Sequence, residues 1–65
     1  MKITPVNDKW YVNAGRVTRE QREQMMAWCH ENWPGGWGEA DTLLAETVFI
    51  FPQLSQANWF ILKWA

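Results

Sequence analysis

TREQREQMMAWCHENWPGG, residues Thr18–Gly36, is the stretch from which the rest of the chain is best read. Thr18 followed by Gln21 has the spacing of a capping box. In that motif the hydroxyl accepts from the third backbone N–H and the glutamine side chain reaches back to the cap. The spacing predicts a helix over Arg19 to Asn32. Its first two turns are charged (Arg19, Glu20, Arg22, Glu23) and belong at a solvent boundary. Met25, Trp28, Cys29 and Asn32 share one face, and Met26, Cys29 and Trp33 the adjacent one. Arg19 and Glu23 are spaced to pair at i,i+4. Pro34 disfavours helical geometry at Trp33, and Gly35-Gly36 supply left-handed caps.

Upstream, Met1 to Asp8 reads as an extended lead-in with Pro5 and an Asn7-Asp8 turn. Lys9 to Ala14 is aromatic and β-branched, the composition of a strand, and Gly15 ends it. Trp10 and Val12 fall on one face, Tyr11 and Asn13 on the other. Downstream, Pro34 to Asp41 reads as a glycine-rich connection with Trp37 in its middle. Leu43 to Phe51 follows as a strand, richly β-forming from Thr47 on, apolar on both faces at its end and stopped by Pro52. Ala57, Phe60, Ile61 and Trp64 sit at helical spacing, so the tail reads as a helix from about Leu54, with Ser55 as a cap. The alternation of Phe60, Leu62 and Trp64 leaves open a short extended piece. No internal repeat or low-complexity segment stands out. The expected fold is one α+β domain over residues 1–65, a two-layer mini-domain of order β-α-β-α, with β-α-β-β the runner-up. The long helix packs on a small sheet. Two strands alone are marginal. A third strand is therefore expected from Met1–Val6 or the C-terminus, or else self-association through a strand edge.

The last third carries Phe49-Ile50-Phe51 and then Ala57-Asn58-Trp59-Phe60-Ile61-Leu62-Lys63-Trp64. It resembles small uncharacterised proteins of tailed bacteriophages, in which an aromatic strand precedes a terminal helix with Ala-x-x-Phe-x-Leu-Lys/Arg-Trp. The Trp28-Cys29-His30-Glu31-Asn32 segment is similar to a Trp-Cys-x-x-Asn stretch of that group. Together these cover about half the chain. The chain departs from the pattern at Pro52-Gln53-Leu54-Ser55-Gln56, where the group places acidic residues. The resemblance implies a phage origin and a compact α+β fold, and brings no activity with it.

Six Lys and Arg against seven Asp and Glu leave a formal charge of −1. That balance argues against a nucleic-acid arm or a polybasic membrane patch. One cysteine rules out an internal disulfide and a multi-thiolate zinc site. The apolar runs Val48–Phe51 and Trp59–Leu62 fall far short of the ~20 residues a membrane helix needs. Met-Lys-Ile-Thr-Pro has no apolar signal-peptide core. A cytoplasmic location is expected, the host cytoplasm for a phage product, with no membrane partner.

The chemistry-bearing residues give no catalytic constellation. Cys29 and His30, adjacent on a helix, point about 100° apart, whereas a nucleophile pair needs hydrogen-bond reach. Cys29 reads as a small core residue. Glu39, Asp41 and Glu46 do not have the spacing or oxygen density of a calcium loop. Gly35-Gly36-Trp37-Gly38 lacks the Lys-Ser/Thr of a phosphate loop and follows a helix rather than opening one. No cofactor, no metal and no enzymatic activity are expected.

What remains is a surplus of indoles: Trp10, Trp28, Trp33, Trp37, Trp59 and Trp64. Each large aromatic buries roughly 150–250 Å². A 65-residue globule has too little interior for all six, so one or two should face water, where Trp is enriched at binding hot spots. The candidate partner-binding residues are Trp37 and Trp33 as anchors, with Arg16, Arg19, Arg22, Glu39 and Asp41 setting orientation. The three arginines cluster where the helix dipole disfavours cations, which makes a use for them worth seeking. The expected function is that of a phage-type accessory protein, binding and modulating or inhibiting a host or phage protein. The alternatives are a structural or assembly component, in the virion or as a homo-oligomer, and a single-strand nucleic-acid binder stacking bases on Tyr11 and Trp10. The charge balance speaks against the last.

Overall fold

The Thr18 cap forms as its spacing predicts. Gln21 N–H donates to Thr18 Oγ1 at 3.1 Å, and Thr18 N–H donates to Gln21 Oε1 at 2.9 Å. In the computed structural model, which describes all of residues 1–65, helix α1 (Arg19–Asn32) runs from that cap until Trp33 N–H closes on Cys29 O at 2.7 Å. It buries Met25 and Cys29.

The sheet has four antiparallel strands: β1 (Lys2–Val6), β2 (Lys9–Gly15), β3 (Gly38–Asp41) and β4 (Thr47–Phe51), in the order β1-β2-β4-β3. Helix α2 (Leu54–Trp64) closes the chain. The element order is therefore β-β-α-β-β-α, not β-α-β-α or β-α-β-β. Two readings gave the difference. The Met1–Asp8 lead-in is a strand, the third strand that the marginal two-stranded sheet called for. The glycine-rich connection contains a second one, β3, whose Gly-Glu-Ala-Asp sequence has no strand propensity of its own and is recruited by pairing with β4. The strand expected from Leu43 begins only at Thr47, because residues 42–46 form the turn between β3 and β4. A hairpin followed by a helix thus occurs twice, with the two hairpins meeting through β2 and β4. This is a repeat of architecture without a repeat of sequence.

Register fixes the faces. Val12 lies opposite Phe49 and Trp10 opposite Phe51, so these four share one face of the sheet, while Tyr11 and Ile50 share the other. Both helices cover the first face. The core joins Val12, Phe49 and Phe51 to Met25 and Cys29 of α1 and to Ala57 and Phe60 of α2. Phe60 is its hub, with ring centroids 4.7 Å from Phe49 and 5.5 Å from Phe51. The tail is helical to Trp64, with no extended piece, and its cap is Gln53 rather than Ser55. Gln56 Oε1 accepts from Gln53 N–H at 3.2 Å. No helix is long and apolar enough to cross a membrane.

Candidate functional site: the β3–β4 hairpin

Five of the seven residues singled out as partner-binding gather at one end of the molecule. Glu39 and Asp41 alternate along β3 and point to the helical face, because Glu39 lies opposite Phe49 and Asp41 opposite Thr47. Arg22, in the first turns of α1, reaches across to both. It forms an ion pair with Glu39, and its second nitrogen lies 3.5 Å from Asp41 Oδ2. Glu39 is mostly buried and its Oε2 is sequestered from water, so Arg22 is the group that compensates it. Arg19 pairs with Glu23 at 3.4 Å in full solvent and contributes little. Arg16 reaches the turn of the same hairpin, where its Nε–H donates to the backbone carbonyl of Leu44 at 3.0 Å.

That last bond belongs to a tightly specified turn. Thr42 N–H donates to Glu46 O at 2.9 Å and Ala45 N–H to Thr42 O at 3.0 Å. Ala45 has φ 62, in the left-handed region. This is the three-residue hairpin loop that combines a tight turn with one left-handed residue, a position that usually holds glycine. Thr42 Oγ1 accepts from the N–H groups of Leu44 and Glu46, each at 3.2 Å, and lies 3.4 Å from Glu46 Oε1. Asn13 Nδ2 donates to that same carboxylate oxygen at 3.4 Å, tying the turn to β2. A loop so held carries two leucines into solvent. Leu43 is fully exposed and Leu44 is 63% exposed. Beside the tip an open cleft of about 550 Å³ runs between Val17, Arg19 and Arg22 on one side and Asp41, Leu43 and Thr47 on the other.

The two aromatic anchors lie elsewhere. Trp33 and Trp37 are half-buried and packed on the core, with ring centroids 5.5 Å from Phe51 and 6.2 Å from Phe49 respectively. None of the six indoles is fully buried, and the most exposed is Trp59, at 55% on α2, with Leu62 one turn on at 76%. The surplus argument thus holds in kind but selects a different ring. The choice of Trp33 and Trp37 followed the glycine-rich loop they flank, whereas the exposure of Trp59 follows from its position off the Ala57, Phe60, Ile61 and Trp64 stripe of α2. Leu43 and Leu44 were missed because they read as the start of a strand. The available signal was Thr42 and Glu46, turn-compatible polar residues bracketing Leu-Leu-Ala.

Cys29 is fully buried, and burial pushes its thiol up to about 12. It is held in the unreactive thiol form. No group of three or more His, Cys, Asp or Glu side chains is placed to hold a metal ion. Comparison of the chain with protein-family models, with curated proteins and with solved structures found no match.

Proposed function

We propose that this chain is a small phage-type accessory protein that docks on a host or phage protein and modulates or inhibits it without catalysis. The observation that carries the reading is the Thr42–Glu46 turn. It places a non-glycine residue at a left-handed position and uses a threonine, a glutamate and a backbone-directed arginine to hold Leu43 and Leu44 out of the protein. Local strain retained beside exposed apolar side chains is expected where a loop must keep a shape for a ligand. Two leucines on a rigid tip lose little entropy on entering a partner's apolar pocket. Arg16 then acts as a positioning residue for the tip, and Arg22, Glu39 and Asp41 hold the hairpin against α1.

The test pairs the wild type with a Leu43→Ser/Leu44→Ser variant as baits on bacterial lysate. Thermal melting of both establishes that the fold is kept. A protein recovered by the wild type and lost by the variant is the expected result. A binder retained equally by the folded variant would overturn the role of the tip.

A second reading, a homo-oligomeric assembly component, is favoured by the patch that Trp59 and Leu62 form with the half-buried Trp28, around a depression of about 290 Å³. Sedimentation across a concentration series tests it, with Leu62→Glu expected to abolish any association.

A further inference from the structure

The two edges of the sheet are not equivalent. Backbone groups of an antiparallel strand alternate, one residue bonding to its neighbour and the next pointing away. The Thr42 N–H to Glu46 O bond fixes the phase of the β3–β4 ladder. With Ala40 opposite Val48 and Gly38 opposite Ile50, those residues bond inward to β4. The N–H and C=O groups of Glu39 and Asp41 therefore point off the sheet. The same phase carried across β2 makes Val6 and Lys9 the bonded pair that closes the first hairpin, leaving Ile3 and Pro5 as the outward positions of β1.

Those outward positions differ in chemistry. Pro5 has no N–H, so β1 presents an interrupted edge, and lysines stand at Lys2 and Lys9 beside it. Proline and lysine are the usual means by which an edge is closed to further strands. β3 has neither. Its outer face carries only Gly38 and Ala40, and its acidic side chains are turned inward to Arg22. β3 itself, Gly-Glu-Ala-Asp, thus carries no residue that blocks the outward N–H and C=O pairs of Glu39 and Asp41.

Charge selects the occupant. One arginine faces two carboxylates, so the strip of β3 nearest an added strand keeps a net negative charge, and Asp41 is half exposed. A second copy paired about Ala40 would set Glu39 of one chain opposite Asp41 of the other, twice, and like charges directly opposite destabilise a ladder. We propose that β3 is a strand-addition edge that takes an extended segment of a partner protein carrying Lys or Arg at alternate positions. The segment's backbone bonds to Glu39 and Asp41, and its basic side chains lie on the side of the sheet where the half-exposed Asp41 carboxylate meets them. This adds a surface separate from the leucine tip. It stands or falls without that reading, because its test uses a synthetic peptide and no natural partner.

The experiment is a titration of the ¹⁵N-labelled full chain with the blocked peptide Thr-Lys-Val-Lys-Val and with Thr-Glu-Val-Glu-Val, read by amide shifts and hydrogen exchange. In the free protein the Glu39 and Asp41 amides exchange fast and the Ala40 amide slowly. The basic peptide should shift residues 38–41 and slow exchange at Glu39 and Asp41. The acidic peptide should bind at least about tenfold more weakly, and added salt should reduce the difference. Asp41→Pro removes one outward N–H without touching the β4 ladder and should abolish binding, whereas Asp41→Asn keeps it with reduced affinity. Should Asp41→Pro not fold, a basic peptide N-methylated at alternate residues, titrated into the wild type, gives the same loss. Shifts centred on β1 or the helices, equal affinity for both peptides, or no binding of either would overturn the proposal. So would protection of Glu39 and Asp41 that rises with protein concentration alone, which would assign the edge to a second copy.

Discussion

Arg22 of α1 and Glu39 of β3 form an ion pair across the helix–sheet interface, and Glu39 is the more buried partner. The pair joins the first helix to the shortest strand, an edge strand of glycine, alanine and two acids that has little propensity to form alone. Arg22→Ala leaves a mostly buried carboxylate without its cation, which costs about 1–3 kcal/mol. Arg22→Lys recovers part of this, because an ammonium replaces the charge but not the fork that spans Glu39 and Asp41. Arg19→Ala, whose pair is fully exposed, leaves the midpoint unchanged. Urea denaturation of the three variants reads the order directly, and equal losses for Arg22→Ala and Arg19→Ala would show that the interfacial pair does not stabilise the fold.

Ala45 occupies a left-handed position at φ 62. A Cβ there costs about 1 kcal/mol, which glycine avoids. Ala45→Gly is therefore expected to stabilise the protein by up to about 1 kcal/mol, less the greater entropy glycine brings to the unfolded chain. The melting temperature checks the sign. A decrease would mean that the turn is not strained as its dihedral indicates.

The parts of this fold legible in the sequence are those fixed by local chemistry. Thr18 and Gln21 cap α1 through their own side chains, Trp10 and Val12 share a face because a strand alternates, and Pro52 ends β4. What escaped was set by pairing. Gly38–Asp41 becomes a strand only because β4 offers it a ladder, and Met1–Val6 only because β2 does. The site divides in the same way. Arg22, Glu39 and Asp41 were visible as charges, but their convergence depends on a register that no local pattern encodes. Leu43 and Leu44 were hidden because an apolar pair before a β-forming run reads as buried.

Cys29 gives a pH dependence with a definite sign. Its folded thiol is pushed up to about 12 from an ordinary 9.0 by burial. Below 9.0 the thiol is neutral in both states and stability is full. As pH rises from 9.0 toward about 12 the unfolded chain ionises while the folded one does not, so stability falls. The slope approaches about 1.4 kcal/mol per pH unit within that window. Urea midpoints of the wild type and Cys29→Ala between pH 8 and 10.5 separate this from other alkaline effects, since only the difference in slope belongs to the thiol. Parallel slopes would mean that the thiol is not desolvated.

The Ala-x-x-Phe-x-Leu-Lys-Trp ending divides into two faces with opposite expectations. Ala57 and Phe60 are fully buried, Trp64 packs at a ring distance of 6.5 Å from Phe60, and Leu62 is 76% exposed. Phe60 also touches Phe49, Phe51 and Trp28, so Phe60→Ala empties the hub where both helices meet the sheet. That substitution costs about 3–5 kcal/mol and is expected to unfold so small a domain at 37 °C. Leu62→Ser removes no buried contact and should leave the far-UV spectrum and the melting temperature as they are. If Leu62→Ser proved as damaging as Phe60→Ala, the exposed face of α2 would be buried in solution, and the Trp59–Leu62 patch would belong to an interface between copies of the chain.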